Sequence, residues 1–125
     1  MILDTNALSA FADGDPKLLR VIEDCAQPAM PVIVLGEYLY GIRQSRYRAR
    51  YEQWLKTNLP LFDLLAVEAE TADNYAELRR ELKTTGHPIP SNDIWIAALA
   101  REHQLPVISR DAHFDIVAGL RRLPW

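Results

Sequence analysis

Short apolar runs alternate with longer amphipathic stretches along the chain. The opening run, MIL, reads as a brief strand. TNALSAF after it reads as a helix with Thr5 as N-cap, broken by ADGDP. DPKLLRVIEDCA places Pro16 in a first helical turn and Leu18, Leu19, Val21, Ile22 and Ala26 at near-helical spacing. AMPVIVL predicts a second strand that passes into a short helix over GEYLYGI. In SRYRARYEQWLKTNL, Tyr47, Tyr51, Trp54 and Leu55 recur at i, i+4, i+7 and i+8, the spacing of a buried stripe on an otherwise polar helix. FDLLAV predicts a third strand, and EAETADNYAELRRELKTTG a long amphipathic helix ending near Gly86. HPIPS is a proline-interrupted loop. NDIWIAALAREHQ is apolar almost all round from Ile94 to Ala100, which predicts a buried helix. LPVIS predicts a fourth strand, RDAHFDIV a loop or short helix, and LRRLPW a last, edge strand.

Strands that alternate with helices, with no tight hairpin signal between them, predict an α/β domain whose central sheet of four to five strands is mainly parallel and covered on both faces. With 125 residues, 49% of them apolar, the chain suits a single domain spanning 1–125 with a core of its own. No apolar run approaches the roughly 18 residues of a membrane helix. No charged segment leads into an apolar one at the start, so no secretory signal is expected. The lone cysteine, Cys25, cannot form an internal disulfide and fits a cytoplasmic setting. A net charge of −3 does not suggest a general nucleic-acid coat, and it does not exclude a nucleic-acid enzyme with a local basic track.

In parallel α/β sheets ligands bind outside the carboxyl ends of the strands. Several acids fall there. Asp4 closes the first strand, Glu37 lies just past VIV at the expected start of the following helix, and Asp111 lies just past VIS. Asp93 opens the buried helix and reaches the same edge if HPIPS returns the chain to it. Asp115 shares a face with Asp111 if that segment is helical. Each acid also has an ordinary role open to it. Asp4 can begin a turn, Glu37 can be a solvated helix residue, and Asp111 can start a turn with Arg110. Asp93 can stabilise a helix dipole while Ser91 or Asn92 caps, and Asp115 can be a surface or capping residue.

Taken together, clustered carboxylates repel one another and need a cation. Mg²⁺, which prefers oxygen ligands and keeps several waters, suits such a set. His87, His103 and His113 show no metal-binding spacing and read as surface or loop residues. No phosphate-cradling glycine loop and no Gly-x-Ser-x-Gly stretch is present. A carboxylate-held Mg²⁺ beside a phosphodiester points to hydrolysis of a nucleic-acid backbone by metal-activated water. GIRQSRYRARYEQW offers Arg43, Arg46, Arg48 and Arg50 as a track for RNA, or for an acidic protein partner.

Four ordered blocks, ILDTNALSA, VIVLGEYLYGI, GHPIPSNDIWIAALAREHQLPVISRDAHFD and VAGLRRLPW, resemble the PIN-domain ribonucleases. More narrowly, they are similar to the VapC toxins of VapBC toxin–antitoxin pairs, and the likeness runs the length of the chain. It implies a PIN-like α/β/α sandwich and an Mg²⁺- or Mn²⁺-dependent endoribonuclease. The family's four core acids match Asp4, Glu37, Asp93 and Asp111. Asp4 and Asp93 match the usual metal ligands, with Glu37 and Asp111 as further ligands or acting through water. Asn6 and Ser109 match supporting polar positions, and Asp115 matches a further acid of some members. The likeness also implies a homodimer and a VapB-like antitoxin that blocks the site and alone reaches operator DNA. Met1 stands only three residues before Asp4, fewer than in many relatives, so either the start is trimmed or the first strand is short. Two other readings stay open: a toxin–antitoxin binding module with little nuclease activity, and a housekeeping PIN ribonuclease.

Overall fold

The computed structural model describes residues Met1–Trp125. Five short strands, β1 (Ile2–Leu3), β2 (Ala29–Pro31), β3 (Asp63–Leu65), β4 (Val107–Ile108) and β5 (Arg122–Leu123), form one sheet. Their order is β3-β2-β1-β4-β5, and every pairing is parallel. Six helices flank the sheet: α1 (Thr5–Ala12), α2 (Pro16–Ile22), α3 (Val32–Arg43), α4 (Arg48–Asn58), α5 (Ala69–Thr84) and α6 (Ser91–His103). α1 packs with α2, α3 and α4, while α5 and α6 form the most extensive helix pair.

The topology decides where a site can form. The chain runs outward from β1 through β2 to β3, then returns to build β4 and β5 on the other side of β1. β1 is therefore the switch point, and the crevice outside the carboxyl ends of β1 and β4 is where such sheets bind ligands. The short first strand is the central one. Its two residues are completely buried, along with Val107 and Ile108 of β4. Flanking cover on both sides accounts for strands that are apolar without alternation.

Three local expectations are corrected. VIV is helical: the second strand ends at Pro31, and α3 begins at Val32. Val34, Tyr38 and Ile42 recur every four residues and are buried, so packing of a helical stripe overrides the β-preference of Val and Ile. Glu37 consequently sits inside α3, not at its start. Asp4, not Thr5, is the N-cap of α1, and its carboxylate accepts from the Thr5 amide at 2.7 Å. α4 starts at Arg48, which leaves Tyr47 outside the helix and exposed, while Tyr51, Trp54 and Leu55 turn toward the core. Trp54 meets Phe11 of α1 edge-to-face, with ring centroids 5.7 Å apart. The buried α6, the end of α5 near Gly86 and the edge strand β5 follow the sequence pattern. No helix is long and apolar enough to cross a membrane.

Candidate active site

Asp4 leaves β1 at the switch point and is buried. Its hydrogen bonds come from three residues. Thr5 N donates to Oδ1, while Ser109 Oγ at 2.7 Å and Asn6 Nδ2 at 2.8 Å donate to Oδ2. Ser109, fully buried just past β4, also accepts from the Asp111 amide at 2.9 Å. Asn6 completes the tie through Oδ1, which accepts from the Arg110 amide at 3.1 Å. These bonds lock the β1–α1 junction to the segment after β4. A carboxylate has about four acceptor positions, so Asp4 Oδ1 keeps one for a ligand.

Glu37 reaches the site from the second turn of α3. Thr5 Oγ1 donates to its Oε2, and Asn92 Nδ2 donates to its Oε1 at 2.6 Å. The sequence offers Thr5 as a helix cap, and Ser91 or Asn92 as another. Neither Thr5 nor Asn92 caps: Pro90 occupies the N-cap of α6 without a side-chain bond, so the Asn92 amide is free to hold Glu37. Their role as supports of Glu37 carries no local signal, because it depends on α1, α3 and α6 meeting.

Asp93 projects from the first turn of α6 and is buried. Asp111 caps the 3-10 turn Ala112–Ile116 by accepting from the His113 amide at 2.9 Å. His113 corrects the expectation of a plain surface histidine. Its Nδ1 lies 3.1 Å from Asp93 Oδ2 and 3.1 Å from Asp111 Oδ1. One atom from each of Asp93, Asp111 and His113 can be chosen so that all lie within 4.8 Å of one another. His87 and His103 are exposed, as expected.

The charges are not balanced by the protein. No lysine or arginine pairs with Asp4, Glu37, Asp93 or Asp111. Burial pushes the Asp4 carboxyl above its ordinary range. Hydrogen bonds from Ser109 and Thr5 oppose that shift, and the charges of Glu37 and Asp111 add to it. Burial raises Asp93 as well, opposed by the His113 contact and reinforced by Asp4 and Asp111. Oxygen-rich, net negative and partly desolvated, this donor set fits a divalent cation.

Asp115 stands apart from the acids. It forms a two-pronged pair with Arg122, at 2.7 and 2.9 Å, and this neighbour holds its carboxyl below the ordinary range. Arg122 Nη1 donates to the Ser109 carbonyl at 3.0 Å, so Asp115 bears on the site only through β5. Arg43, Arg46, Arg48 and Arg50 are exposed, with Arg48 paired to Glu52 at 2.8 Å. From Thr5 and Glu37 a groove of about 280 Å³ runs past Ser9, Asp13 and Tyr38 to Ser45 and Tyr51, beside this arginine segment. The buried Tyr38 hydroxyl on its wall has no protein partner and is pushed up to about 12, chiefly by burial.

A model of the PIN domain family matches residues 1–120 of the chain. Ribonuclease VapC5 of Mycobacterium tuberculosis is 32% identical over 120 residues, covering 94% of this chain and 87% of that protein. The solved VapBC2 of Rickettsia felis, bound to a DNA fragment from its promoter, superposes with a TM-score of 0.86 at 25% identity. It covers 99% of this chain and 97% of that one. VapBC-5 of Mycobacterium tuberculosis, described as a member of the VapBC family of toxin–antitoxin systems, matches with a TM-score of 0.68 at 30% identity. The match covers 78% of this chain and 82% of that one.

Proposed function

Since the chain belongs to the PIN-domain family, we propose that it is a metal-dependent endoribonuclease, the toxin of a toxin–antitoxin pair. One observation carries the reading. Asp4, Glu37, Asp93 and Asp111 come from four separate segments and gather, without a balancing lysine or arginine, at the switch point of a parallel sheet.

Asp4 and Asp93 are assigned as direct ligands of Mg²⁺ or Mn²⁺, with Glu37 and Asp111 completing the set or acting through water. A divalent cation held there supplies charge to the phosphoryl oxygens and makes a bound water more acidic. The protein's share is positioning and electrostatics. Ser109 and Asn6 fix the Asp4 carboxylate, while Thr5 and Asn92 fix that of Glu37. The exposed arginines beside the groove are assigned to the RNA backbone, where a guanidinium meets phosphate in two-pronged fashion. Hydrolysis breaks a P–O bond of the backbone and leaves a 5′-phosphate and a 3′-hydroxyl.

The partner that fits is a VapB-like antitoxin, through which operator DNA would be contacted, on a toxin homodimer. The VapBC assemblies among the relatives support this. The decisive test is RNA cleavage by partner-free protein with Mg²⁺, Mn²⁺ or EDTA, beside Asp4→Asn and Asp93→Asn. Cleavage that needs both metal and the two acids supports the proposal. Failure to cut total cellular RNA, together with no metal binding by calorimetry, turns the reading to a binding module.

A further inference from the structure

We infer that His113 is itself a ligand of the divalent ion at this centre, making it a mixed nitrogen–oxygen site that favours Mn²⁺ over Mg²⁺. The inference rests on the metal-dependent reading above and adds a residue and a selectivity to it.

The spacing is the first argument. His113 Nδ1 stands 3.1 Å from an oxygen of Asp93 and 3.1 Å from an oxygen of Asp111. Two ligands held at right angles, about 2.1–2.2 Å from one ion, are roughly 3.0 Å apart. The imidazole nitrogen thus already stands from each carboxylate at the separation of neighbouring ligands on a shared ion, and the three groups lie within 4.8 Å of one another.

The second argument is that the backbone carrying the ring is held in place. The His113 amide donates to Asp111 Oδ1, and the next residue, Phe114, is completely buried and anchors the 3-10 turn. Nε2 makes no hydrogen bond within the protein, and the side chain is 47% exposed. Without an ion, Nδ1–H can donate to the acids; when an ion binds, water can satisfy an Nε2–H group instead, which frees the Nδ1 lone pair for the ion. Neither His87 nor His103 has a carboxylate within ion-pair distance.

The third argument is ligand chemistry. Carboxylate oxygen serves Mg²⁺ and Mn²⁺ alike, whereas imidazole suits transition ions better than Mg²⁺. One nitrogen in an oxygen set therefore tilts the site toward Mn²⁺. If His113 only bridges the two acids by hydrogen bonds, no such tilt follows.

The test uses the full chain, with MnCl₂ and MgCl₂ titrated by calorimetry and the Mn²⁺ form examined by pulsed electron paramagnetic resonance. Wild-type protein should show coupling of Mn²⁺ to a histidine nitrogen, and His113→Ala should lose it. That variant should bind Mn²⁺ about tenfold or more weakly while Mg²⁺ affinity changes by about threefold or less. The exposed side chain makes the substitution compatible with folding, and circular dichroism checks this. His113→Gln, whose amide can still bridge the carboxylates, should not restore Mn²⁺ affinity. Mn²⁺ bound without nitrogen coupling, coupling that survives in His113→Ala, or full rescue by Gln overturns the inference alone. No Mn²⁺ or Mg²⁺ binding by wild-type protein overturns it together with the metal-dependent reading.

Discussion

Ser109 Oγ and Asp4 Oδ2 lie 2.7 Å apart in the interior, joined by a hydrogen bond between residues 105 positions apart in the chain. The bond ties the end of β1 to the segment after β4, and the same hydroxyl accepts from the Asp111 amide. Ser109→Ala leaves a buried carboxylate short of a donor and a half-buried amide short of an acceptor. The expected cost is about 1–3 kcal/mol, read as a lower midpoint in urea unfolding with an unchanged slope.

Asp93 is expected to trade stability for activity. It is buried close to Asp4 and Asp111 with only His113 as a partly compensating neighbour. Asp93→Asn removes that repulsion, so metal-free protein should gain roughly 1 kcal/mol, seen as a higher Tm by calorimetry. RNA cleavage by the same variant should be abolished. A variant that cuts at the wild-type rate would remove Asp93 from the centre.

The pH dependence follows from the same acids. Asp4 and Asp93 titrate above their ordinary values in the folded chain. Between the unfolded and folded values the native state holds more protons than the unfolded state. The stability they contribute is therefore present at low pH and lost as pH rises through the raised range. Metal-free protein should lose stability from these two acids as pH climbs from about 4 through their raised range, and saturating Mg²⁺ should offset the loss. Melting curves at several pH values, with EDTA or Mg²⁺, measure it.

Glu37 is held by neighbours that do not themselves belong to the acid set. Removing the Asn92 donor, 2.6 Å from Glu37 Oε1, frees a carboxylate that the geometry requires in one orientation. Asn92→Ala should lower kcat or metal affinity by about 10–100-fold, with Tm changed little. Thr5→Ala should act in the same direction. Steady-state cleavage of a mapped RNA separates the kcat effect from KM.

The arginine track has a salt signature. On the proposed assignment of these arginines to RNA, replacing Arg46, Arg48 and Arg50 together with alanine removes phosphate contacts without touching the acids. RNA affinity should fall, and the slope of log affinity against log salt should become shallower by up to ~2. An unchanged slope would assign these arginines to a protein partner instead.

Much of this was legible in the chain. The alternation of short apolar runs with amphipathic stretches announced a parallel α/β sheet, and α6 declared its burial through Ile94–Ala100. The rule that ligands gather at strand carboxyl ends marked Asp4 and Asp111. Misjudgements came where a tertiary contact overrode a local preference. Val32, Ile33 and Val34 read as strand because they are β-branched, yet the stripe continuing to Tyr38 and Ile42 makes them helical. Tyr47 matched a buried stripe by spacing, but the helix begins one residue later and leaves it exposed.

What the sequence determined by itself is what depends on neighbours in the chain: the order of elements, the apolar faces, and the residue types able to hold a hard cation. What only the tertiary structure decided is which distant groups meet. Glu37 and Asn92 are 55 residues apart, and Asp93 and His113 are 20 apart. No periodicity links either pair. Their contacts exist because the chain reverses its direction of winding at β1, bringing α1, α3, α6 and the turn after β4 to one end of the sheet. Spacing along the chain could exclude a histidine motif, but only packing could set one imidazole between two carboxylates.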